Sequence, residues 1–250
     1  MIIVKDAEES ALSLPRTYGV DDFPLIIQTK SIDADGTINY QGQNTNSDTK
    51  LMVNATPSPK LNVPQQFVRF RILNASLQRV FNLGLSNGFS FFHIATDGGL
   101  KATRTSVTRL RLAPGERGEI VVPFNIYSVG TNLQLVSYAG SLPNGTWGAT
   151  NAWLGSGAAP EPPGYTPNFM NGTTFNVLWF TVVAPTITPA PILSIPSALA
   201  TVTPIPEASA TVTRNKWFFA GGDGAGGVKI GNSSNPASAN AFSLTTIDDV

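Results

Sequence analysis

The sequence predicts an all-β fold, a sandwich or barrel, on three observations. Short segments rich in β-branched and aromatic residues recur along most of the chain, bounded by Gly, Pro, Asn and Asp. Within 66–73, Val68, Phe70 and Ile72 alternate with Phe67, Arg69 and Arg71, the period of a half-buried strand. Only 6–14 has helical character. Regular strands with few helices leave a sandwich or barrel.

Taken in order, Asp6-Ala-Glu-Glu-Ser-Ala-Leu-Ser-Leu14 predicts a short helix ended by Pro15, which cannot continue one. Strands are expected at 23–28, 51–53, 66–73, 79–86, 90–95, 107–112, 119–124, 133–138 and 175–183. Asn87-Gly88 turns the chain between two of them. Ala113-Pro114-Gly115-Glu116 does the same, Pro114 presetting φ and Gly115 tolerating positive φ. Glu116 and Arg117 are expected to hold that turn to the next strand. An irregular insertion covers 141–171. Further on, 217–219 and 241–247 read as strands.

Four zones follow. Residues 1–17 are a strand-like stub and connector, and 18–184 the packed domain. Residues 185–210 are a Pro-rich segment, extended rather than helical, and 211–250 begin something new. No internal repeat is found. A net charge of zero from 16 basic and 16 acidic residues gives no basic face for nucleic acid and no polybasic membrane anchor. No apolar run approaches the ~20 residues of a spanning helix. The low charged fraction, 13%, with abundant Gly, Pro, Thr, Asn and Ser, points to an exported protein. With no Cys, disulfides and thiolate ligands are excluded. Asn-x-Ser/Thr sequons stand at Asn54, Asn74, Asn144, Asn171 and Asn232, a number that chance readily supplies in an Asn/Thr-rich chain.

Candidate sites are few. His93 lies in the apolar run Phe91-Phe-His-Ile94 and is the chain's single His, read as packed rather than ligating. A blue-copper site needs two His and a Cys, usually with an axial Met. Met52 and Met170 are read as core and loop residues. Gly222-Asp-Gly-Ala-Gly-Gly227 matches a dinucleotide-binding pattern. The Val228-Lys-Ile-Gly-Asn-Ser-Ser-Asn-Pro236 that follows cannot supply the required helix, so a hairpin loop is expected. Adjacent strand residues face opposite ways, so Glu8-Glu9, Asp21-Asp22 and Asp248-Asp249 are not ready-made general acid/base pairs, and they are taken as ionised surface residues. No catalytic, cofactor-binding or metal-ligating residue is assigned. Trp147, Trp153 and Tyr165 suggest a contact surface, more suited to packing on a neighbouring domain than to lining a substrate mouth.

Three stretches in fixed order carry a family resemblance: Arg69-Phe-Arg-Ile-Leu-Asn-Ala-Ser76, Thr96-Asp-Gly-Gly-Leu100, and Leu110-Arg-Leu-Ala-Pro-Gly-Glu-Arg-Gly-Glu-Ile-Val-Val-Pro-Phe124. They resemble the middle cupredoxin domain of three-domain multicopper oxidases, the laccase, bilirubin oxidase and spore-coat oxidase group. The likeness runs through nearly the whole chain. Met1-Ile-Ile-Val-Lys-Asp6 resembles the closing strand of the first cupredoxin domain, and Tyr18-Gly-Val-Asp-Asp-Phe-Pro-Leu-Ile-Ile-Gln28 the opening of the second. Leu51-Met-Val-Asn-Ala55 resembles a family Leu-Val-Asn-Gly strand, with Ala55 in place of Gly. Tyr138-Ala-Gly-Ser-Leu-Pro-Asn-Gly145 resembles a loop near that domain's end, and Ala241-Phe-Ser-Leu-Thr-Thr-Ile-Asp-Asp-Val250 the opening of the third.

The resemblance implies a cupredoxin-like Greek-key sandwich at 18–184, flanked by remnants of domains one (1–17) and three (211–250), with 185–210 as linker. It implies a parent that couples one-electron substrate oxidation to reduction of oxygen to water, with copper as cofactor and a periplasmic or extracellular location. The partners would be the parent's first and third cupredoxin domains. The family's His-rich and His-Cys-His ligand motifs have no counterpart here, so the resemblance implies that this chain holds no copper and is inactive alone. The alternatives are a non-enzymatic secreted β-sandwich that scaffolds or binds, and a natural copper-free cupredoxin relative.

Overall fold

The computed structural model describes residue 3 and residues 6–39, 48–150, 168–212, 217–220 and 228–231. Among the described residues one short α-helix, α1 (Ala7–Ala11), precedes the strands β1 (Asp22–Lys30), β2 (Lys50–Val53), β3 (Thr56–Pro57), β4 (Lys60–Pro64), β5 (Phe67–Asn74), β6 (Phe81–Leu85) and β7 (Phe91–Thr96). After them come β8 (Gly99–Val107), β9 (Leu110–Leu112), β10 (Arg117–Pro123), β11 (Asn132–Tyr138), β12 (Thr174–Val183), β13 (Trp217–Ala220) and β14 (Val228–Gly231). The chain divides into two compact units, Met1–Val202 and Thr203–Val250.

In the first unit two mixed sheets face each other. One runs β3-β2-β1-β5-β10-β7-β8, the other β4-β12-β11-β6-β9. Pairing is antiparallel except β1 with β5 and β12 with β4. The chain crosses repeatedly between the layers, as a cupredoxin-like sandwich requires. The inner faces supply one core, in which Phe70 packs with its ring centroid 6.0 Å from Phe23, 5.3 Å from Phe180 and 6.3 Å from Phe124.

A second apolar cluster lies on the other face of the larger sheet, where Leu14, Ile195 and Leu199 close over Phe67, Ile94 and Val121. Burying side chains of this size contributes about 1.5–3 kcal/mol each. Residues 192–199 of the Pro-rich segment are therefore laid onto the sandwich rather than passing freely. Phe67 N donates to Ile192 O (2.8 Å), Leu199 N to Ala102 O (2.9 Å) and Arg104 N to Ser197 O (2.9 Å).

Several expectations change. Residues 107–112 are not one strand: β8 ends at Val107 in the larger sheet, and β9 begins at Leu110 in the smaller one. The chain changes layers at Thr108-Arg109, where the Arg109 guanidinium sits 3.3 Å from the Tyr138 ring centroid. The polar edge strand β8 and the short strands β3 and β4 were not expected. Strand β5 is buried on both faces rather than half-buried, because the outer face of its sheet is covered as well. The helix is shorter than 6–14, and its N-cap Asp6 accepts from Glu9 N at 2.7 Å. In the second unit β13 and β14 pair antiparallel, Trp217 opposite Gly231. Gly222–Gly227 and the strand expected at 241–247 lie outside the described residues.

Candidate functional site

The period-two pattern that puts Val68, Phe70 and Ile72 into the core sends Arg69 and Arg71 to the opposite face of β5. Both are buried there. Cationic side chains so placed must be paired, and the neighbouring elements supply carboxylates. Glu119, opposite Arg71 on β10, accepts from Arg69 Nε at 2.7 Å and from Arg71 Nη1 at 2.8 Å. Asp22 of β1 accepts from Arg71 Nε and Nη2, each at 2.9 Å to one carboxylate oxygen. Glu9 of α1 completes the set, its Oε1 accepting from Arg69 Nη1 at 2.6 Å.

This overturns the surface reading of Asp21-Asp22 and of Glu9, while Glu8 is exposed as expected. Glu9, Asp21 and Asp22 are buried. Asp21 accepts from the backbone N–H groups of Thr17 (2.8 Å) and Arg16 (3.1 Å), fixing the connector where it enters β1. Burial pushes the Asp21 carboxyl up from its ordinary range, against the pull of those two backbone donors. The Arg69 and Arg71 partners lie about fifty to sixty residues away in sequence, so the acids alone carry no sign of them. Asp248 and Asp249 lie outside the described residues.

A second buried polar group sits where the insertion meets the sandwich. Arg79 Nε lies 3.4 Å from Asp48 Oδ2, and Arg79 Nη1 donates to Asn171 Oδ1 at 2.8 Å. Thr29 Oγ1 donates to Asp48 Oδ2 at 2.6 Å, and Asn168 Nδ2 donates to the Asp48 carbonyl. Burial raises the Asp48 pKa above its usual value.

The other singled-out residues resolve individually. His93 is half-buried, its Nε2 2.9 Å from the Ala95 carbonyl oxygen, and burial followed by the Lys101 charge lowers its pKa. Met170 is buried in a loop and Met52 half-buried on β2. Glu116 Oε2 accepts from Ala113 N at 2.6 Å, and Arg117 Nε meets Asp97 Oδ1 at 2.8 Å, so this pair does hold turn and strand together. Trp147 is half-buried, and its carbonyl accepts from Val80 N at 3.0 Å. Trp153 and Tyr165 lie outside the described residues. Elsewhere a cleft of about 280 Å³ opens between β1 and β4, floored by Phe23, Leu25, Leu61 and Leu178 and rimmed by Tyr18 and Lys60.

These residues do not fit a copper centre. The chain has one His, whose ring nitrogen contacts a backbone carbonyl, and no thiol. Three carboxylates, Glu9, Asp22 and Glu119, face the two guanidinium groups of Arg69 and Arg71, and Arg16, whose Nη1 lies 3.8 Å from Glu9 Oε2, supplies the third positive charge, so no substrate ion is needed to balance the cluster. What it can do is mechanical: it ties α1, β1, β5 and β10 into one rigid face.

No family model matches the chain. It is 44% identical over 125 residues to the cell division protein FtsP of Xenorhabdus nematophila and likewise to that of Yersinia pestis. These stretches are 49% of this chain and 26% of each relative, so the chain spans about a quarter of the curated relatives it matches. Among solved structures, a variant of the McoA multicopper oxidase of Aquifex aeolicus superposes with a TM-score of 0.69 at 30% identity. That match covers 90% of this chain and 44% of the oxidase. A laccase from Pediococcus acidilactici superposes at 0.68 over 97% of this chain and 43% of its own, with 23% identity, which speaks for the fold alone.

Proposed function

Starting from a chain that carries the cupredoxin-like fold of the multicopper oxidases, we propose that it is the copper-free middle domain of a larger copper oxidoreductase. In the parent, one-electron oxidation of a substrate would be coupled to oxygen reduction at copper centres held by the domains before and after this one. Residues 18–184 are the bridging body in this reading, and the flanking segments 1–17, 185–210 and 211–250 lead to its neighbours. The observation that carries the proposal is the 30% identity to the Aquifex oxidase variant spread over 90% of this chain. The ion-paired face supports it, since a domain that holds two others in register needs rigid attachment of its incoming segment. A periplasmic or extracellular location goes with the same reading.

The 44% identity to FtsP favours a second reading, a non-enzymatic scaffold in cell division. The two differ in what the complete protein binds. The test is to express the complete coding region, measure copper by elemental analysis and record oxygen-dependent oxidation of a phenol. Bound copper with turnover supports the oxidase. A folded protein without either supports the scaffold and sinks the first reading. The 250-residue chain alone is expected to bind no stoichiometric copper and to show no copper–thiolate absorption.

A further inference from the structure

The chain contains three Asn-Gly pairs, Asn87-Gly88, Asn144-Gly145 and Asn171-Gly172. An Asn before Gly can lose its side-chain amide, because the unhindered Gly nitrogen is able to reach the Asn carbonyl carbon. The fold treats the three pairs very differently.

At the first pair, Asn87 Nδ2 donates to Tyr127 Oη at 3.0 Å and its Oδ1 accepts from Phe89 N at 3.1 Å. The attacking nitrogen is also engaged, Gly88 N donating to Leu85 O at 2.9 Å. At the third, Asn171 Oδ1 accepts from Arg79 Nη1 at 2.8 Å and Gly172 N donates to Gly148 O at 2.9 Å. Both pairs thus have amide and nucleophile held.

Asn144 and Gly145 are exposed at the tip of a turn closed by Thr146 N donating to Pro143 O at 3.1 Å. Gly145 has φ +83, which glycine adopts without strain. Among the described residues neither the Asn144 side chain nor the Gly145 N–H makes a hydrogen bond. The amide is free to rotate and the nitrogen is free to lose its proton to water.

We propose that Asn144 is a site of spontaneous deamidation in the folded protein. The Gly145 nitrogen, deprotonated by hydroxide, bonds to Asn144 Cγ. The Cγ–Nδ2 bond breaks and the amide leaves as ammonia after taking up a proton. Water then opens the resulting succinimide at either carbonyl, giving aspartate or isoaspartate, with no oxidant or reductant needed. The product places a negative charge, and in the isoaspartyl form an extra backbone carbon, in the loop whose Trp147 and Gly148 carbonyls hold Val80 and Gly172.

The test is to incubate the folded chain at mildly alkaline pH in heavy-oxygen water, then digest it with chymotrypsin. Cleavage after Leu85, Phe89, Tyr138, Trp147 and Met170 separates the three pairs. Mass spectrometry and methylation by an isoaspartyl methyltransferase are the readouts. Label should enter at Asn144 about tenfold faster than at Asn87 or Asn171, as one retained hydrogen bond of ordinary net strength would impose. In denaturant the three should converge, and Gly145→Ala should abolish the Asn144 signal. Equal rates at the three sites in the folded chain, or slower reaction at Asn144, would overturn the proposal.

Discussion

Glu9 and Arg69, sixty residues apart in sequence, meet at 2.6 Å on the covered face of the larger sheet. The contact binds the connector before β1 to the most central strand of the fold. It is one arm of a cluster in which Glu119 serves both Arg69 and Arg71.

Removing a partner from a buried pair leaves an uncompensated charge, at a cost of about 3–5 kcal/mol. Glu119→Ala strips contacts from two arginines, whereas Glu9→Ala strips them from one that keeps Glu119. The first should therefore lower the denaturant-unfolding free energy more than the second. Glu9→Ala should in addition speed hydrogen exchange in 6–17 without altering β10. Equal and negligible losses would show that solvent already screens the cluster.

His93 makes stability pH-dependent in a defined direction. Its folded pKa lies below the ordinary 6.5, first because of burial and second because of Lys101. A depressed folded pKa means that the folded state binds the proton less well than the unfolded chain. The stability it contributes is complete above the unfolded value and is lost as pH falls through the folded one. Asp21 and Asp48, with raised values, act in the opposite sense: their contribution is present below the unfolded carboxylate pKa and lost as pH rises through the folded one. His93→Gln should flatten the stability profile just below neutrality and leave the acid limb unchanged. A proton NMR titration of the wild-type ring, which has no other His to overlap it, gives the folded pKa directly. A value above 6.5 would reverse the expectation.

Gly84, inside β6, lies directly against the crossover at Thr108-Arg109. A Cβ there would lie 2.7 Å from the Thr108 carbonyl oxygen and 2.7 Å from Arg109 Nη1. The side chain could yield, but the backbone of the crossover cannot move without disturbing both β8 and β9. Gly84→Ala should cost about 1–3 kcal/mol, as overpacking generally does. Calorimetry on this variant and on Arg109→Ala/Gly84→Ala separates the two contacts: partial recovery in the double variant assigns the guanidinium's share.

The strands with strong β-branched and aromatic content were legible, among them β1, β5, β10, β11 and β12, each found within a few residues of its expected ends. Strand β8 was not, because Lys101, Thr103, Arg104, Thr105 and Ser106 give an edge strand no apolar alternation to read. The break at Thr108-Arg109 was hidden for a related reason: the flanking apolar residues continue across it while the chain changes layers. Arg69 and Arg71 were correctly placed on one face by period two. Their burial was not readable, since it depends on Leu14, Ile195 and Leu199 arriving from both ends of the unit to cover that face. The carboxylates of the cluster come from three separate elements, and no local pattern links them.

A final prediction comes from the hairpin between β2 and β3. Val53 pairs with Thr56, so Asn54 and Ala55 are the two turn residues, and both have positive φ, 52° and 62°. Two-residue hairpin turns of this form favour Asn-Gly, because Gly alone takes the second position without a Cβ clash. Asn54 suits its place: its Oδ1 accepts from Ile26 N and its Nδ2 donates to Pro24 O, each at 2.9 Å. Ala55 does not, and a left-handed conformation costs an L-residue about 1–2 kcal/mol. Glycine brings back roughly 0.5–1 kcal/mol of unfolded-chain entropy. Ala55→Gly should therefore stabilise the fold by about 0.5–1 kcal/mol, seen as a higher midpoint of denaturant unfolding with an unchanged slope. Ala55→Val, with a β-branched side chain forced into the same turn, should be destabilising. If Ala55→Gly lowers the midpoint instead, the turn does not hold Ala55 in the left-handed region.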